Sequence, residues 1–151
     1  MQLRRIELRD LLTIEINARP VVDVGGGRRF VTFERGTFHG RDGLVGSLLE
    51  GGIDWQRVRP DGAIEIDAHY ALLTDREETI EVESRGLRKA SDEVTARLAR
   101  GDHVPPDEYY FRTHVRLSTS AARLAWLNDL LAVSTGQREK ATVRIDVHEV
   151  L

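Results

Sequence analysis

The stretch GGIDWQRV, residues 51–58, places an aspartate and a tryptophan directly after two glycines. Side chains alternate along a strand, so Asp54 and Trp55 face opposite sides and only one of them can face a core. An inward Asp54 would be a candidate general acid or base, because burial raises the pKa of a carboxyl group. An outward Asp54 would be a strand-start aspartate held by turn amides, and this stretch alone favours that second interpretation.

A second candidate group lies in YYFRTHVRL, residues 109–117, where Tyr110 and Arg112 share one face of a predicted strand. An arginine beside a tyrosine can hold a carboxylate or an enolate, because the guanidinium fork matches two oxygens. The alternation by itself favours a simpler alternative, in which this face is solvated and Tyr109 and Phe111 belong to the core.

A third candidate is AWLND, residues 125–129. Trp126 and Asn128 would line a pocket in one interpretation. In the other, Trp126 is a core anchor, the more common role for tryptophan, and Asn128 ends a helix. No histidine pair has metal-ligand spacing, and the chain contains no cysteine, so we predict no metal site and no cofactor.

Composition limits the class of protein. The chain has 151 residues, 31% of them charged, with a formal net charge of −3. This length suits one domain, predicted over residues 1–151, and the mixed charges lack the basic patch of a nucleic-acid-binding protein. No stretch is long and apolar enough to span a membrane, so we expect a cytoplasmic protein with no membrane or nucleic-acid partner.

Period-two alternation dominates the chain and predicts an all-β fold. Two Asp-Gly turns, at 41–43 and 60–62, separate strand-like runs, and Ser91 is a plausible cap for a helix over 91–102. A second short helix capped by Ser120 is predicted over 120–129, and 134–140 is predicted to be a loop. We therefore expect an antiparallel β-barrel of about eight to nine strands with one or two short helical inserts. The predicted strands fall at 13–18, 28–38, 53–58, 62–74, 79–84, 109–117 and 141–150.

The order of several short motifs resembles the DUF3237 family, also called UPF0311. The resemblance runs from about residue 10 to the end of the chain. It implies a compact antiparallel barrel without an assigned activity, and the charged segment 89–108 departs from the family pattern. The motifs fall on Gly51, Gly52, Asp54 and Trp55, on Arg59 to Gly62, on Tyr70, on Arg85, Gly86 and Arg88, on Tyr110 to Arg112, and on Trp126 to Asn128.

Given this resemblance, a shared interior cavity becomes the favoured interpretation, since a barrel brings distant strand residues together. The first hypothesis is a cofactor-independent enzyme for proton transfer, isomerisation, cyclisation or hydrolysis of a small oxygenated apolar substrate. The second is a lipocalin-like carrier or sensor. The third is a structural protein in which Asp54 and Arg112 form a buried ion pair.

The predicted roles under the enzyme hypothesis are specific to each residue. The predicted catalytic residues are Asp54, Arg112 and Tyr110, and the predicted ligand-binding residues are Trp55, Tyr70, Arg85, Trp126 and Asn128. A small-molecule ligand is the expected partner. We also expect a homo-oligomer, because small barrels commonly bury an outer face by self-association.

Overall fold

A computed structural model describes all 151 residues and contains ten strands and one α-helix. Short 3-10 segments cover Arg41–Gly43, Pro106–Glu108 and Ala122–Asp129, and α1 is Asp92–Ala99. The strands are β1 (Leu8–Ala18), β2 (Val22–Gly25), β3 (Arg28–Gly40), β4 (Val45–Leu48), β5 (Ile53–Val58), β6 (Ile64–Thr74), β7 (Thr79–Lys89), β8 (Tyr110–Ser118), β9 (Ala132–Glu139) and β10 (Thr142–Val150).

The sheet closes on itself, which confirms the predicted antiparallel barrel. Its neighbours run β1-β10-β9-β8-β7-β6, then β4 and β5 end to end in the next position, then β3, which pairs back with β1. This arrangement makes eight positions around the barrel. Strand β2 pairs only with β3 and forms a hairpin outside the closed sheet. Closure leaves no long unpaired edge in the barrel itself.

Alternation along each strand separates core from surface. In β6, every second residue from Ile64 to Thr74 is buried, and β8 alternates in the same way from Phe111 to Leu117. The inward residues form one continuous hydrophobic cluster of 28 buried side chains. Polar residues that share this inward face are therefore the informative ones, because burying them costs free energy unless they are paired.

The two barrel ends differ in how they are covered. We call one end the closed end, because the 3-10 segment Ala122–Asp129 lies there with its Leu124 and Leu127 fully buried. The insert end carries the connection from β7 to β8, residues 90–109, which includes α1. This connection contributes Val94, Leu98, Val104 and Tyr109 to the core cluster.

Several local predictions are confirmed and others are corrected. Ser91 caps α1 by accepting a hydrogen bond from the Val94 amide at 3.2 Å. The segment 122–129 is a 3-10 helix whose N-cap is Ala121 rather than Ser120. Residues 134–140 are not a loop, because β9 continues to Glu139 and pairs with β10 throughout. Neither helical segment has the length and apolarity needed to cross a membrane.

Candidate functional site

Asp54 faces the inside of the barrel. Strand β5 lies between β3 and β6, and Asp54 is paired with Val31 on one side and Ala68 on the other, both of which are buried. The Asp54 side chain is therefore on the inward face of β5, and the residue is only 7% exposed. Alternation then puts Gln56 inside as well and Trp55 outside.

Two hydrogen bonds hold the Asp54 carboxyl group in place. Gln56 donates from Nε2 to Oδ2 at 2.6 Å, and the backbone amide of Asp67 donates to Oδ1 at 3.0 Å. The Gln56 amide is itself oriented, because its Oε1 accepts a hydrogen bond from Arg29 Nε at 2.8 Å. A chain of polar contacts therefore leads from the barrel end inward to the carboxyl group.

The environment of Asp54 raises its pKa to about 6. Burial is the largest cause, because it disfavours the charged carboxylate. The hydrogen bonds from Gln56 and the Asp67 amide, and the positive charge of Arg88, act in the opposite direction and stabilise the ionised form. A carboxyl group with this pKa exists in both protonation states near neutral pH, as an acid–base catalyst requires.

Asp54 opens onto an interior cavity of about 50 Å³. Most of the lining side chains are apolar and come from strands all around the barrel. The polar lining residues are Asp54, Gln56, Tyr70, Ser84, Arg88, Thr113 and Arg138. A cavity of this volume holds a water molecule or a small organic group, since one water needs about 10–15 Å³ measured in this way.

Tyr70 supplies a free phenol to this cavity. It lies two residues beyond Ala68, the β6 partner of Asp54, and therefore on the same inward face. Its ring packs edge-on against Phe33 with centroids 5.4 Å apart. The Tyr70 hydroxyl forms no hydrogen bond within the protein. Because every fully enclosed side-chain nitrogen or oxygen does have a partner, this hydroxyl is not fully enclosed, and it opens into the cavity. Burial, with a smaller contribution from Asp54, raises its pKa, so the phenol stays protonated as a donor.

The opposite wall of the cavity carries a chain of three hydroxyl groups. Ser84 Oγ donates to Thr113 Oγ1 at 2.7 Å, and Thr113 Oγ1 lies 2.5 Å from Ser134 Oγ. All three residues are buried on neighbouring strands β7, β8 and β9. The hydroxyls satisfy one another and give that wall a polar stripe without a net charge.

The structure brings two of the predicted site residues together, Asp54 and Tyr70. It separates Arg112 and Tyr110 from them, because both lie on the outer face of β8 and Tyr110 is 53% exposed. The Arg112 guanidinium donates to the Phe111 carbonyl at 2.9 Å and lies 5.5 Å from the Tyr110 ring. Arg112 and Tyr110 therefore do not share a cavity with Asp54 as predicted, and the Asp54–Arg112 ion pair of the structural-protein hypothesis is not formed.

The other predicted ligand-binding residues also lie outside the cavity. Trp55 is 38% exposed and packs against Phe30 on the outer surface, with ring centroids 5.0 Å apart. Arg85 is on the outer face of β7, where its Nε lies 3.0 Å from Asp67 Oδ1.

The pair from the 3-10 segment lies at the closed end. Trp126 packs partly buried against the core, 5.8 Å from the Arg41 guanidinium. Asn128 is exposed and is used structurally, because its side chain hydrogen bonds to both the backbone amide and the carbonyl of Thr119. Neither residue lines the cavity.

Sequence reasoning missed five polar residues of the cavity: Gln56, Ser84, Arg88, Thr113 and Arg138. The signal for Gln56 and Arg88 was alternation. Gln56 must share a face with Asp54, and Arg88 must share one with Ser84 rather than with Arg85. Arg138 had no such signal once its segment was interpreted as a loop. It becomes an inward residue only because β9 continues through Gly136.

The cavity does not offer a metal-binding donor set. Asp54 is its only carboxylate, and no histidine lines it. A group of potential ligand atoms does occur on the outer face, where His69, Glu81 and Glu83 are all exposed. There, His69 Nε2 lies 3.1 Å from Glu81 Oε1, within hydrogen-bonding distance at the surface. These side chains point away from the barrel interior.

Comparison with known proteins gives a consistent family assignment. The family described as "Protein of unknown function (DUF3237)" matches residues 6–150. A UPF0311 protein of Rhodopseudomonas palustris is 35% identical over 150 residues, with 97% of each chain covered. Its crystal structure superposes with a TM-score of 0.94, covering 99% of this chain and 100% of that one.

Two further solved structures share the architecture. A protein of Acinetobacter baumannii described as beta-barrel like is 32% identical, with a TM-score of 0.84 and 99% of each chain covered. A Penicillium herquei protein described as an enzyme has a TM-score of 0.73 at 19% identity, covering 100% of this chain and 98% of that one, and shows a shared fold. With a family match over nearly its whole length and relatives above 30% identity, this chain belongs to the DUF3237 (UPF0311) family.

Proposed function

We propose that this protein binds a small, oxygenated and partly apolar molecule inside the barrel and that Asp54 transfers a proton to or from it without a cofactor. The observation that carries the proposal is a buried carboxyl group, with a pKa of about 6, that opens onto an interior cavity. A solvated surface aspartate would be ionised throughout the neutral range and would be a weak base.

The hydrogen bonds to Asp54 suit a general base. They come from the Gln56 side chain and the Asp67 backbone, one to each oxygen, so the carboxyl group is oriented before a substrate arrives. Each carboxylate oxygen accepts more than one hydrogen bond, which leaves acceptor capacity toward the cavity. Preorganisation of this kind lowers the cost of reaching the reactive geometry.

Tyr70 and Arg88 suit the stabilisation of negative charge on the substrate. As Asp54 removes a proton from carbon or oxygen, the electron pair left behind moves onto a substrate oxygen. The free Tyr70 hydroxyl can donate to that oxygen, and the positive charge of Arg88 stabilises it in a site that excludes bulk water. Asp54, now protonated, returns the proton to another atom of the same molecule and is regenerated.

This proton transfer is the common step of several reactions. An isomerisation returns the proton to a different carbon, and a cyclisation uses the deprotonated oxygen as an internal nucleophile. A hydrolysis would instead use Asp54 to activate a water molecule.

A non-catalytic carrier or sensor is the second candidate. The observation in its favour is that most of the cavity wall is apolar, so retention of a ligand does not depend on Asp54. The two functions differ in one respect: a carrier releases its ligand unchanged. A Penicillium herquei protein of this fold is described as an enzyme, but a fold by itself does not transfer an activity.

The test is a proton-exchange experiment in D₂O. Small enolisable carbonyl compounds are first screened for binding by thermal shift, and the ligands found are then followed by proton NMR for exchange of carbon-bound hydrogen. We expect Asp54→Asn to retain ligand binding and to lose at least about 100-fold in exchange rate, the usual contribution of a positioned base. The matched control is Glu65→Gln, an outward carboxylate on β6.

Two results would contradict the enzyme proposal. An Asp54→Asn variant that exchanges at the parental rate would remove Asp54 from the chemistry. Ligands that bind saturably yet leave the parental protein with no exchange and no product would identify the barrel as a carrier instead.

A further inference from the structure

Three arginine side chains converge at the insert end of the barrel. Arg29 lies near the start of β3, Arg88 at the end of β7 and Arg138 at the end of β9, which places all three at the same end of an antiparallel barrel. Arg88 and Arg138 line the cavity, and Arg29 reaches it through its hydrogen bond to Gln56. All three are half-buried.

These three are the half-buried arginines of the chain that form no ion pair, and the other arginines without an ion pair are all exposed. None of the three lies within 4.0 Å of a carboxylate oxygen, whereas nine arginines elsewhere form ion pairs. Those nine are Arg9, Arg41, Arg57, Arg59, Arg85, Arg97, Arg100, Arg123 and Arg144.

Their hydrogen bonding within the protein is also sparse. Arg138 donates from Nε only to the Lys140 carbonyl, at 3.2 Å, and Arg29 donates to the uncharged Gln56. The Arg88 guanidinium has no protein acceptor, although burial is expensive for an unpaired charge. Most of the donor capacity of the cluster is therefore not used by the protein and is available to a ligand at the insert end.

The cluster also carries an excess of positive charge. Three guanidinium groups face the Asp54 carboxyl group, and Asp23 on β2 is paired with Arg29 across the strands, so the site is positive even when both carboxyl groups are ionised. The consequences appear in the pKa of each group. Burial, followed by repulsion from Arg138 and Arg29, lowers the pKa of Arg88 to about 10, and burial likewise lowers the pKa of Arg29 and Arg138. A bound anion would relieve this repulsion.

Building on the proposed function, we infer that the ligand is a short-chain organic carboxylate, with its carboxylate group on Arg88 and Arg138 and its carbon end toward Asp54 and Tyr70. A planar carboxylate matches the parallel N–H donors of a guanidinium, and a charged acceptor makes those hydrogen bonds shorter and stronger. The inference thus names the substrate class on which Asp54 acts.

The size of the cavity sets the length of the ligand. An apolar cavity that holds benzene has a volume of about 150 Å³, roughly three times that of this cavity. The apolar part of the ligand that enters without moving the barrel is therefore short, about two or three carbon atoms. A longer or aromatic acid would require the β7–β8 connection at the insert end to move.

The experiment is a titration of the intact protein at constant ionic strength with acetate, propionate, butyrate and benzoate, using propionamide as the uncharged analogue. We expect saturable binding of the short carboxylates, strongest for propionate or butyrate, and at least about tenfold weaker binding of propionamide and benzoate. Constant ionic strength separates a specific site from general screening of surface charge.

Variants locate the site within the barrel. Arg88→Gln and Arg138→Gln should each weaken propionate binding at least about tenfold. Arg88→Lys should retain part of the affinity, because it keeps the charge and loses the fork. The matched control is Arg85→Gln, three residues earlier in β7 on the outer face, which should bind propionate like the parent. Circular dichroism and thermal unfolding establish that each variant is folded.

The inference is overturned if propionamide binds as well as propionate, if Arg85→Gln loses as much affinity as Arg88→Gln, or if no carboxylate binds saturably. That failure is distinguishable from failure of the proposed function. Without anion recognition, uncharged ligands would still show Asp54-dependent exchange. Without catalysis by Asp54, the arginine-dependent binding of propionate would remain.

Discussion

The closed end and the insert end of this barrel are filled by different kinds of side chain. At the closed end, the 3-10 segment Ala122–Asp129 brings Leu124 and Leu127 into the core, and no charged group is buried with them. At the insert end, three half-buried arginines and the buried Asp54 lie near the apolar side chains that the β7–β8 connection contributes to the core. The closed end contributes to stability, and the insert end retains unpaired polar groups that cost stability.

This difference indicates that the two ends of the barrel contribute differently to stability. Apolar packing at one end contributes hydrophobic free energy that offsets the burial of charge at the other. Active sites are commonly less stable than the scaffold around them for this reason. Truncating a buried apolar side chain at the closed end should therefore lower the free energy of unfolding, and removing the buried charge of Asp54 should raise it.

Leu127→Ala should give the largest effect on stability. Leu127 is 0% exposed, so truncation leaves a cavity at the closed end, and we expect a loss of about 2–5 kcal/mol in the free energy of unfolding. Urea denaturation at pH 7 measures it. Leu131→Ala is the matched control, because Leu131 is 58% exposed and its truncation should change stability by less than about 0.5 kcal/mol. Equal losses in the two variants would show that the closed end is not packed as described.

Asp54→Asn should stabilise the protein at neutral pH. Burial raises the folded-state pKa of Asp54 from 3.8 to about 6, so the favourable contribution of the protonated group is complete below pH 4 and is lost as pH rises through 6. Asparagine cannot ionise, so the variant should be more stable than the parent by roughly 1–3 kcal/mol at pH 7 to 8.

The control for Asp54→Asn is the same pair of proteins at low pH. The advantage of the variant should shrink progressively between pH 6 and pH 4, as measured by urea denaturation at each pH. A constant difference across this range would mean that Asp54 does not titrate there. A variant that is destabilised at pH 8 would show that the carboxylate is stabilised overall by its neighbours.

Ser91→Ala should have an intermediate effect. Ser91 accepts the hydrogen bond from the Val94 amide at the start of α1, and loss of such a cap costs about 1 kcal/mol. The matched control is Ser120→Ala, since Ser120 is exposed and the 3-10 segment after it is capped at Ala121 without a side-chain hydrogen bond. Thermal unfolding compares the two variants. An equal change in both would show that the cap at the insert end is unimportant.

Arg112→Ala should have the smallest effect. Its guanidinium contacts an exposed tyrosine ring and a backbone carbonyl on the outer surface, so we expect less than about 0.5 kcal/mol in stability and no change in ligand binding. Urea denaturation and the propionate titration measure these two quantities. A loss of ligand affinity comparable to that of Arg88→Gln would show that the outer face of β8 takes part in ligand binding.

Local patterns predicted most of the elements of this fold. Alternation in β6 and β8, the Asp-Gly turns and the Ser91 cap are short-range signals, and each involves residues close together in the chain. The end of β9 was missed because STGQREK is polar and glycine-containing. Its strand conformation depends on pairing with β10 and on Gly136, where a Cβ atom would collide with the Phe111 ring at 2.5 Å.

The sequence by itself determined that the chain alternates, that it has the length and composition of an antiparallel barrel, and that Asp54 and Trp55 face opposite sides. It did not determine which of these two side chains faces the barrel interior, because side chains alternate in the same way whichever face of the strand is inside. Only closure of the barrel placed Asp54, Tyr70 and Arg88 inward. The candidate site therefore contains Arg88 and Arg138 instead of the predicted Arg85 and Arg112. The physical reason is that burial depends on neighbouring strands, which are distant in the sequence and adjacent only in the folded sheet.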